Sequence, residues 1–166
     1  MRNQVSVNVS AKNIGSLDFP DRIRKILDET GFPAKNLEIE ITEYCMVQSI
    51  KITVENIKKL RAMDIQVALD DFGTGYTSLN YLSQMPVNLL KIDKSLIDDI
   101  EQNQQKCEFT NAIISMGHLM GCEVISEGVE NAMQLTKLKD NNCDFIQGYV
   151  WGKPLPYDTA KALATE

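Results

Sequence analysis

Two adjacent carboxylates followed by a glycine-rich turn form the segment of this sequence best suited to chemistry. Asp70 and Asp71 follow an apolar stretch, residues 67–69, and precede the turn 72–76. Adjacent side chains on a strand point to opposite faces, so the loop must turn one of the two carboxylates inward. Like charges held close together disfavour joint ionisation, and a divalent metal ion bound by carboxylate oxygens relieves that conflict. The pair therefore indicates a metal site; the alternative is an exposed acidic turn.

Polar residues also stand at the ends of the other predicted strands. They are Asn8, Glu40, Lys91, Glu127 and Gln147. In a (β/α) barrel the active-site groups come from the C-terminal ends of several strands, whereas an open doubly wound sheet gathers its ligand at one switch point. Polar residues at so many strand ends favour the barrel. The period of two places Glu38 on the same inner face as Glu40, and the sequence does not explain a second inward carboxylate there.

The donor set suits hard metal ions. Several carboxylates with two amide oxygens favour Mg²⁺ or Mn²⁺, and the Asp70–Asp71 pair is suited to a two-metal site for attack of water on phosphorus. Lys91 would orient that water or stabilise charge on the phosphate. The reaction class is then phosphodiester hydrolysis. The alternative is proton abstraction beside a carboxylate, with Lys91 as the base and the metal stabilising the enolate. The glycines of 72–76 allow close backbone approach or loop movement.

Short apolar strands alternate with helical patterns along the whole chain. The predicted strands are residues 5–10, 37–42, 66–71, 89–93, 122–126 and 144–147. Helices are predicted at 21–30 and near 78–84, 131–139 and 158–164. A further helix is capped by Ser49, and its apolar stripe consists of Ile50, Val54, Ile57, Leu60 and Met63. The longest predicted helix ends at Gly121, and its inner stripe consists of Phe109, Ile113, Met116 and Met120. This alternation predicts an α/β fold with about six parallel strands and crossover helices.

Composition limits the class of protein. The 166 residues fit one domain, and the net charge of −6 argues against binding DNA or RNA. No apolar run approaches the roughly 20 residues of a membrane span, so no membrane contact by this domain is expected. Cys45, Cys107, Cys122 and Cys143 lack metal-site spacing and predict reduced thiols in a cytoplasmic chain, with Cys122 and Cys143 in the core. His118 is the only histidine, which disfavours a Ser-His-Asp or Cys-His mechanism.

A set of ordered motifs resembles the signature of EAL-domain cyclic di-GMP phosphodiesterases. The motifs are residues 7–10, 40–43, 70–76, 91–93, 127–130 and 147–149. The resemblance implies a modified TIM-like (β/α) barrel that cleaves cyclic di-GMP to linear pGpG with Mg²⁺ or Mn²⁺. It implies metal ligands at Asn8, Glu40, Asp70, Asp71 and Glu127, with Asp71 and Glu127 also taking part in catalysis. Lys91 resembles the residue that positions or activates the attacking water, and Gln147 a residue near it.

The same resemblance assigns roles around the glycine-rich loop. Glu43 looks like the anchor of loop 72–78, which in the family couples substrate, metal and dimerisation. Within that loop the substrate-side residues are Phe72, Gly73, Thr74 and Gly75. Thr77 stands where the family often has serine.

The resemblance covers about the C-terminal two thirds of the family domain, so residues 1–166 are expected to form a single partial EAL domain. The segment with Glu-Ala-Leu, whose glutamate is a metal ligand in the family, is absent together with the first strands and helices. We therefore expect an incomplete barrel, a weakened metal site and an isolated chain that is inactive or weakly active. Open strand edges predict a homo-oligomer. The parent protein is expected to carry GGDEF or sensor domains, with a membrane anchor left open. The alternative is a non-catalytic module that binds cyclic di-GMP or a protein.

Overall fold

Six parallel strands form the frame of the molecule. The computed structural model describes residues 4–74 and 82–164, and for 46–49 and 164 it describes the backbone alone. The strands are β1 (Val5–Asn8), β2 (Leu37–Thr42), β3 (Gln66–Phe72), β4 (Leu89–Ile92), β5 (Glu123–Ser126) and β6 (Phe145–Ile146). Their order in the sheet is their order in the chain, and the sheet curls into a half-barrel. The α/β fold with parallel strands is thus confirmed.

The described α-helices lie between these strands, except the last, which follows β6. They are α1 (Ala11–Ile14), α2 (Phe19–Thr30), α3 (Cys45–Arg61), α4 (Lys94–Ile97), α5 (Gln104–Leu119), α6 (Ala132–Asp140) and α7 (Tyr157–Ala164). Local signals set several ends. The Ser10, Asp93, Asn103 and Asn131 side chains cap α1, α4, α5 and α6. Gly31, with φ of 67°, ends α2 in the left-handed conformation that favours glycine.

The two faces of the sheet differ in chemistry. The face covered by helices carries apolar side chains, among them Ile39, Ile41, Leu69, Leu90 and Val124, all fully or almost fully buried. Helix α5 packs closely there, because a Cβ at its Gly117 would overlap Val124 and crowd Leu90. The inner face carries the buried polar residues Glu38, Glu40, Asp70 and Lys91. Alternation with a period of two therefore separates an apolar core from a polar concave surface.

Two helix predictions are wrong. Helix α3 begins at Cys45, so Ser49 lies within it and is not its cap. Cys45 is only 2% exposed, so the helix begins at a buried residue four positions before the capping signal. In α5, Ile113 is buried and Met116 and Met120 pack against the core, but Phe109 is 56% exposed. The buried stripe passes through Thr110 instead, one residue and about 100° away on a helix.

Other expectations have mixed outcomes. The predicted helix near 78–84 lies mostly outside the described residues. The cysteines are free thiols, with Cys45, Cys107 and Cys122 buried and Cys143 half-buried. His118 is a surface residue whose Nε2 lies 2.8 Å from Oδ2 of Asp144. Among the described residues, no helix combines the length and apolarity that a membrane crossing requires.

Candidate metal site at the carboxyl ends of the strands

A buried lysine ammonium stands among three carboxylates on the inner face. Lys91 in β4 is 4% exposed. Its Nζ lies 2.6 Å from Oε1 of Glu40, 2.7 Å from Oε1 of Glu127 and 3.3 Å from Oδ1 of Asp70. Burial alone disfavours the charged ammonium, but the hydrogen bonds to Glu127 and Glu40 outweigh it, so the pKa of Lys91 is raised above its usual value. Lys91 is therefore fully charged at neutral pH.

A β-bulge brings the two aspartates to the same site. Leu69 pairs with Leu90 and Phe72 with Ile92, so Asp70 and Asp71 together stand opposite the single residue Lys91. Asp71 adopts φ of 53°, in the left-handed region. The turning of the second carboxylate was expected from the loop, but the structure achieves it inside strand β3. Asp70 is buried as a result, whereas Asp71 is exposed.

Three carboxylates form a cluster whose geometry fits a metal ion. One oxygen from each of Asp70, Asp71 and Glu127 lies within 4.8 Å of the others. Oδ1 of Asp70 is buried and accepts no hydrogen bond from the described residues, although Lys91 is 3.3 Å away. A buried oxygen without a hydrogen-bond donor needs another partner, and a coordinated metal ion would be one. The residues present therefore fit a hard divalent ion with oxygen ligands.

Burial and crowding shift the acidity of this cluster. Although Asp71 is exposed, its pKa is raised, first by partial desolvation of its carboxyl group and then by the charges of Asp70 and Asp93. The pKa of Glu127 is also raised, because burial outweighs its hydrogen bond to Lys91. In both groups, desolvation and neighbouring negative charges outweigh the attraction of Lys91.

Asn8 and Glu40 occupy the neighbouring strands without entering the cluster of three. They are register partners, with Asn8 at the end of β1 and Glu40 two residues before the end of β2. Asn8 is exposed, because it lies on the outermost described strand, whereas Glu40 is buried and paired with Lys91. The inner face thus brings these two predicted ligands to the same edge of the sheet as the cluster. Their role as ligands remains a prediction.

The glycine-rich loop begins with a contact to Glu43. The backbone N–H of Gly73 donates to Oε1 of Glu43 over 2.8 Å. Glu43 and Phe72 are buried, and Thr74 Oγ1 donates to the carbonyl of Asp71. Gly73 has φ of 100°, a conformation that favours glycine, and a Cβ there would also displace the tip of the Leu96 side chain. Gly75 and Thr77 lie outside the described residues.

Gln147 lies beside the cluster, in a cleft. Its backbone N–H donates to the carbonyl of Ser126, and its carbonyl accepts from Val129, so it immediately follows β6. The cleft has a volume of about 700 Å³ and is lined by Glu127, Gln147, Lys94, Glu130, Tyr149 and Trp151, among others. The side chain of Gln147 is exposed there. The cleft provides room for a ligand next to Glu127.

Sequence reasoning missed two side-chain contacts near the site. Glu38 is buried, and its Oε1 accepts a hydrogen bond over 2.9 Å from Oγ of Ser6, its register partner on β1. Ser6 is two residues before Asn8, so strand periodicity contained that signal. Lys94 forms an ion pair with Glu130. No sequence spacing indicated this second pair, because it joins the start of α4 to the loop after β5, 36 residues later.

Comparison with known proteins identifies the family. Residues 2–154 match the EAL domain, and the chain belongs to the EAL domain family. The cyclic di-GMP phosphodiesterase NbdA of Pseudomonas aeruginosa is 40% identical over 155 residues, 93% of this chain and 20% of NbdA. The chain therefore spans about a fifth of that relative.

Solved structures confirm the TIM-like fold. The EAL domain of Mycobacterium smegmatis DcpA is similar with a TM-score of 0.91 and 31% identity, over 98% of this chain and 73% of that chain. The PaMucR phosphodiesterase, solved in a complex with c-di-GMP, is similar with a TM-score of 0.85 and 29% identity, over 95% of this chain and 64% of that chain.

Proposed function

We propose that this chain is the catalytic domain, or part of it, of a cyclic di-GMP phosphodiesterase that hydrolyses cyclic di-GMP to linear pGpG. The observation that carries the proposal is the charged Lys91 next to the carboxylates of Asp70, Asp71 and Glu127. Phosphodiester hydrolysis needs cations around a phosphate, and this site combines an ammonium with carboxylates suited to metal ions. NbdA, a similar protein, is named as a cyclic di-GMP phosphodiesterase.

Asp70, Asp71 and Glu127 would hold Mg²⁺ or Mn²⁺, with Asn8 and Glu40 as further ligands of a two-metal site. All these donors are oxygen atoms, which both ions prefer. When bound, the metal would supply an activated water and neutralise charge on the phosphate. The exposed position of Asn8 on β1 leaves one side of the site open. We therefore expect this chain on its own to bind metal weakly.

Lys91 acts as a donor and a fixed positive charge, not as a base. An ammonium with a raised pKa does not take a proton from water at neutral pH. An ammonium has three N–H donors, and the contacts to Glu40 and Glu127 occupy two of them. The third can orient a water or a phosphate oxygen. This disfavours the enolate chemistry, in which Lys91 would be the base.

Asp71 is the side chain to which we assign the proton of the attacking water. Its pKa is raised and its carboxylate is exposed, so it can accept a proton and release it to solvent. Gln147 would contact the water or the ligand from the adjoining cleft. Glu43 would hold the start of the loop with Phe72, Gly73, Thr74 and Gly75 through its bond to Gly73. A cytoplasmic location fits the proposed substrate and remains a prediction.

The test is metal-dependent cleavage by the 166-residue chain, used in excess over cyclic di-GMP so that slow cleavage is detected. We expect slow release of pGpG with Mn²⁺ or Mg²⁺, none with a chelator, and none after Glu127→Gln. Saturable binding of cyclic di-GMP without any release would favour the non-catalytic module. Absence of both binding and cleavage would contradict the proposal.

A further inference from the structure

Two lysine–glutamate pairs stand side by side across the same two segments. Lys91 and Lys94 lie three residues apart at the junction of β4 and α4, and Glu127 and Glu130 lie three residues apart after β5. Lys91 contacts Glu127, with 2.7 Å between Nζ and Oε1, and we call this the inner pair. Lys94 contacts Glu130 in the same way, and we call this the outer pair. The loop 127–130 is thus linked twice to the segment 91–94.

The outer pair also touches the residue that follows Glu127. Gly128 has φ of 66°, and a Cβ there would overlap the Cβ, Cγ and Cδ atoms of Lys94. The lysine stem therefore lies flat against Gly128 while its ammonium reaches Glu130. The backbone of the loop is tied to the sheet at Glu127, whose N–H donates to Ile92, and at Val129, whose N–H donates to Gln147. Lys94 adds a side-chain contact between these two backbone bonds.

Exposure distinguishes the outer pair from the inner pair. The side chains of Lys94 and Glu130 are 45% and 46% exposed, whereas that of Lys91 is 5% exposed. Salt and water screen an exposed pair, so its contribution to stability is small. Both residues nevertheless line the cleft that Glu127 lines. The outer pair therefore lies next to Glu127 while contributing little to the stability of the fold.

We propose that Lys94 is a positioning residue: together with Glu130 it clamps loop 127–130 against the β4–α4 junction and holds the Glu127 carboxylate beside Asp70 and Asp71. The proposal rests on the proposed function, because it assigns Glu127 to the metal. Residues that orient a ligand typically change metal affinity by about 10-fold or more when they are lost. Lys94 would act on the metal through Glu127, without touching it.

Simple electrostatics predicts that loss of the lysine charge alone strengthens metal binding, which is the opposite of what loss of the clamp predicts. A positive charge near an acidic cluster repels a divalent cation, so removing Lys94 alone would tighten metal binding by its field. Removing the clamp would weaken metal binding. A test with unchanged net charge separates the two effects.

The experiment compares two double variants of the 166-residue chain. Lys94→Met/Glu130→Gln removes the pair, and Lys94→Glu/Glu130→Lys reverses it, and both leave the net charge unchanged. The dissociation constant for Mn²⁺ is measured by electron paramagnetic resonance titration, and the melting temperature is recorded for each protein. We expect about 10-fold weaker Mn²⁺ binding in the first variant and near-normal binding in the second. We expect the same melting temperature in both.

An exposed pair on α3 provides the matched control. Lys58 Nζ lies 3.4 Å from Oε1 of Glu55, and Lys58→Met/Glu55→Gln removes this pair with the same chemical changes. Its Mn²⁺ affinity should equal that of the unmodified chain. Equal Mn²⁺ affinity in all variants would overturn the inference. An equal loss of Mn²⁺ affinity in the two Lys94/Glu130 double variants would also overturn it.

The same samples separate this inference from the proposed function. If the unmodified chain binds Mn²⁺ but releases no pGpG, the proposed function fails, whereas the loss and rescue of Mn²⁺ affinity still support the clamp. If pGpG is released and Lys94→Met/Glu130→Gln keeps full Mn²⁺ affinity, the clamp fails alone. If the unmodified chain shows no saturable Mn²⁺ binding, both fail.

Discussion

Lys91 is the residue on which the charge balance of the inner face depends. Glu40, Asp70 and Glu127 all lie within 3.3 Å of its ammonium. Three carboxylates, those of Glu40 and Asp70 buried and that of Glu127 half-buried, leave an excess of negative charge near one cation. The site is therefore short of one or more cations, and a divalent ion would supply them.

Replacing Lys91 by methionine should destabilise the protein and make its stability depend on metal. Breaking a buried ion pair leaves uncompensated charge and costs about 3–5 kcal/mol. We expect Lys91→Met to lower the free energy of unfolding by about 3 kcal/mol at pH 7, with partial recovery when Mn²⁺ is added. Urea unfolding with and without Mn²⁺ measures both effects.

Lys58→Met provides the comparison for this prediction. Lys58 is exposed, and its pair with Glu55 belongs to a class that contributes little to stability. Equal stability of the Lys91 and Lys58 variants would show that the Lys91 cluster is not held by charge. A lack of any Mn²⁺ effect on Lys91→Met would contradict the cation deficit.

At the scale of elements, the bulge in β3 gives the aspartate pair its geometry. The bulge lies opposite Lys91, and within the bulge Asp71 adopts a positive φ. Aspartate and asparagine tolerate this conformation better than other residues with a Cβ, and β-branched residues tolerate it worst. The sequence pair Asp70–Asp71 therefore serves both the backbone and the cluster.

Substitutions at Asp71 should separate these two roles. Asp71→Asn should leave the free energy of unfolding within about 0.5 kcal/mol of the original, because asparagine accepts the left-handed conformation. It should still weaken Mn²⁺ binding, because one carboxylate is lost. Asp71→Val should lower the free energy of unfolding by about 1–3 kcal/mol. Urea unfolding and Mn²⁺ titration distinguish the outcomes, and equal stability of the two variants would argue against backbone strain.

Much of the element pattern could be predicted from the sequence. Strand β2 begins and ends at the predicted residues, because Leu37, Ile39 and Ile41 alternate with polar residues. The bulge could not be predicted, since it depends on the register between β3 and β4. The exposure of Phe109 was missed because a stripe spaced by three and four residues also fits a helix rotated by one position. The contact of Lys94 with Glu130 depends on the distance between the start of α4 and the loop after β5, which no local pattern encodes.

At the scale of the whole molecule, β1 is an outer strand of the described sheet and is exposed along its length. Val5 and Val7 are 52% and 43% exposed. A parallel strand with an open edge and exposed valines invites pairing with another chain. The homo-oligomer predicted from the sequence remains a prediction, and β1 is the surface to which we assign it.

Light scattering after size-exclusion chromatography checks this assignment. We expect the chain to elute with a mass above the 18.7 kDa of one copy. Val7→Lys should shift it towards the monomer, because a lysine on an edge strand opposes pairing. A monodisperse monomer of the unmodified chain would contradict the expectation. An oligomer that is insensitive to Val7→Lys would place the contact elsewhere.

The agreement between strand order in the sheet and strand order in the chain affects how the protein can be assembled. Each strand from β2 to β6 pairs with the strand made just before it, and none of the described strands inserts between two earlier ones. During synthesis the ribosome releases the amino-terminal part of a chain first. Each new strand therefore finds its neighbour already outside the ribosome, and the sheet can grow in one direction as translation proceeds.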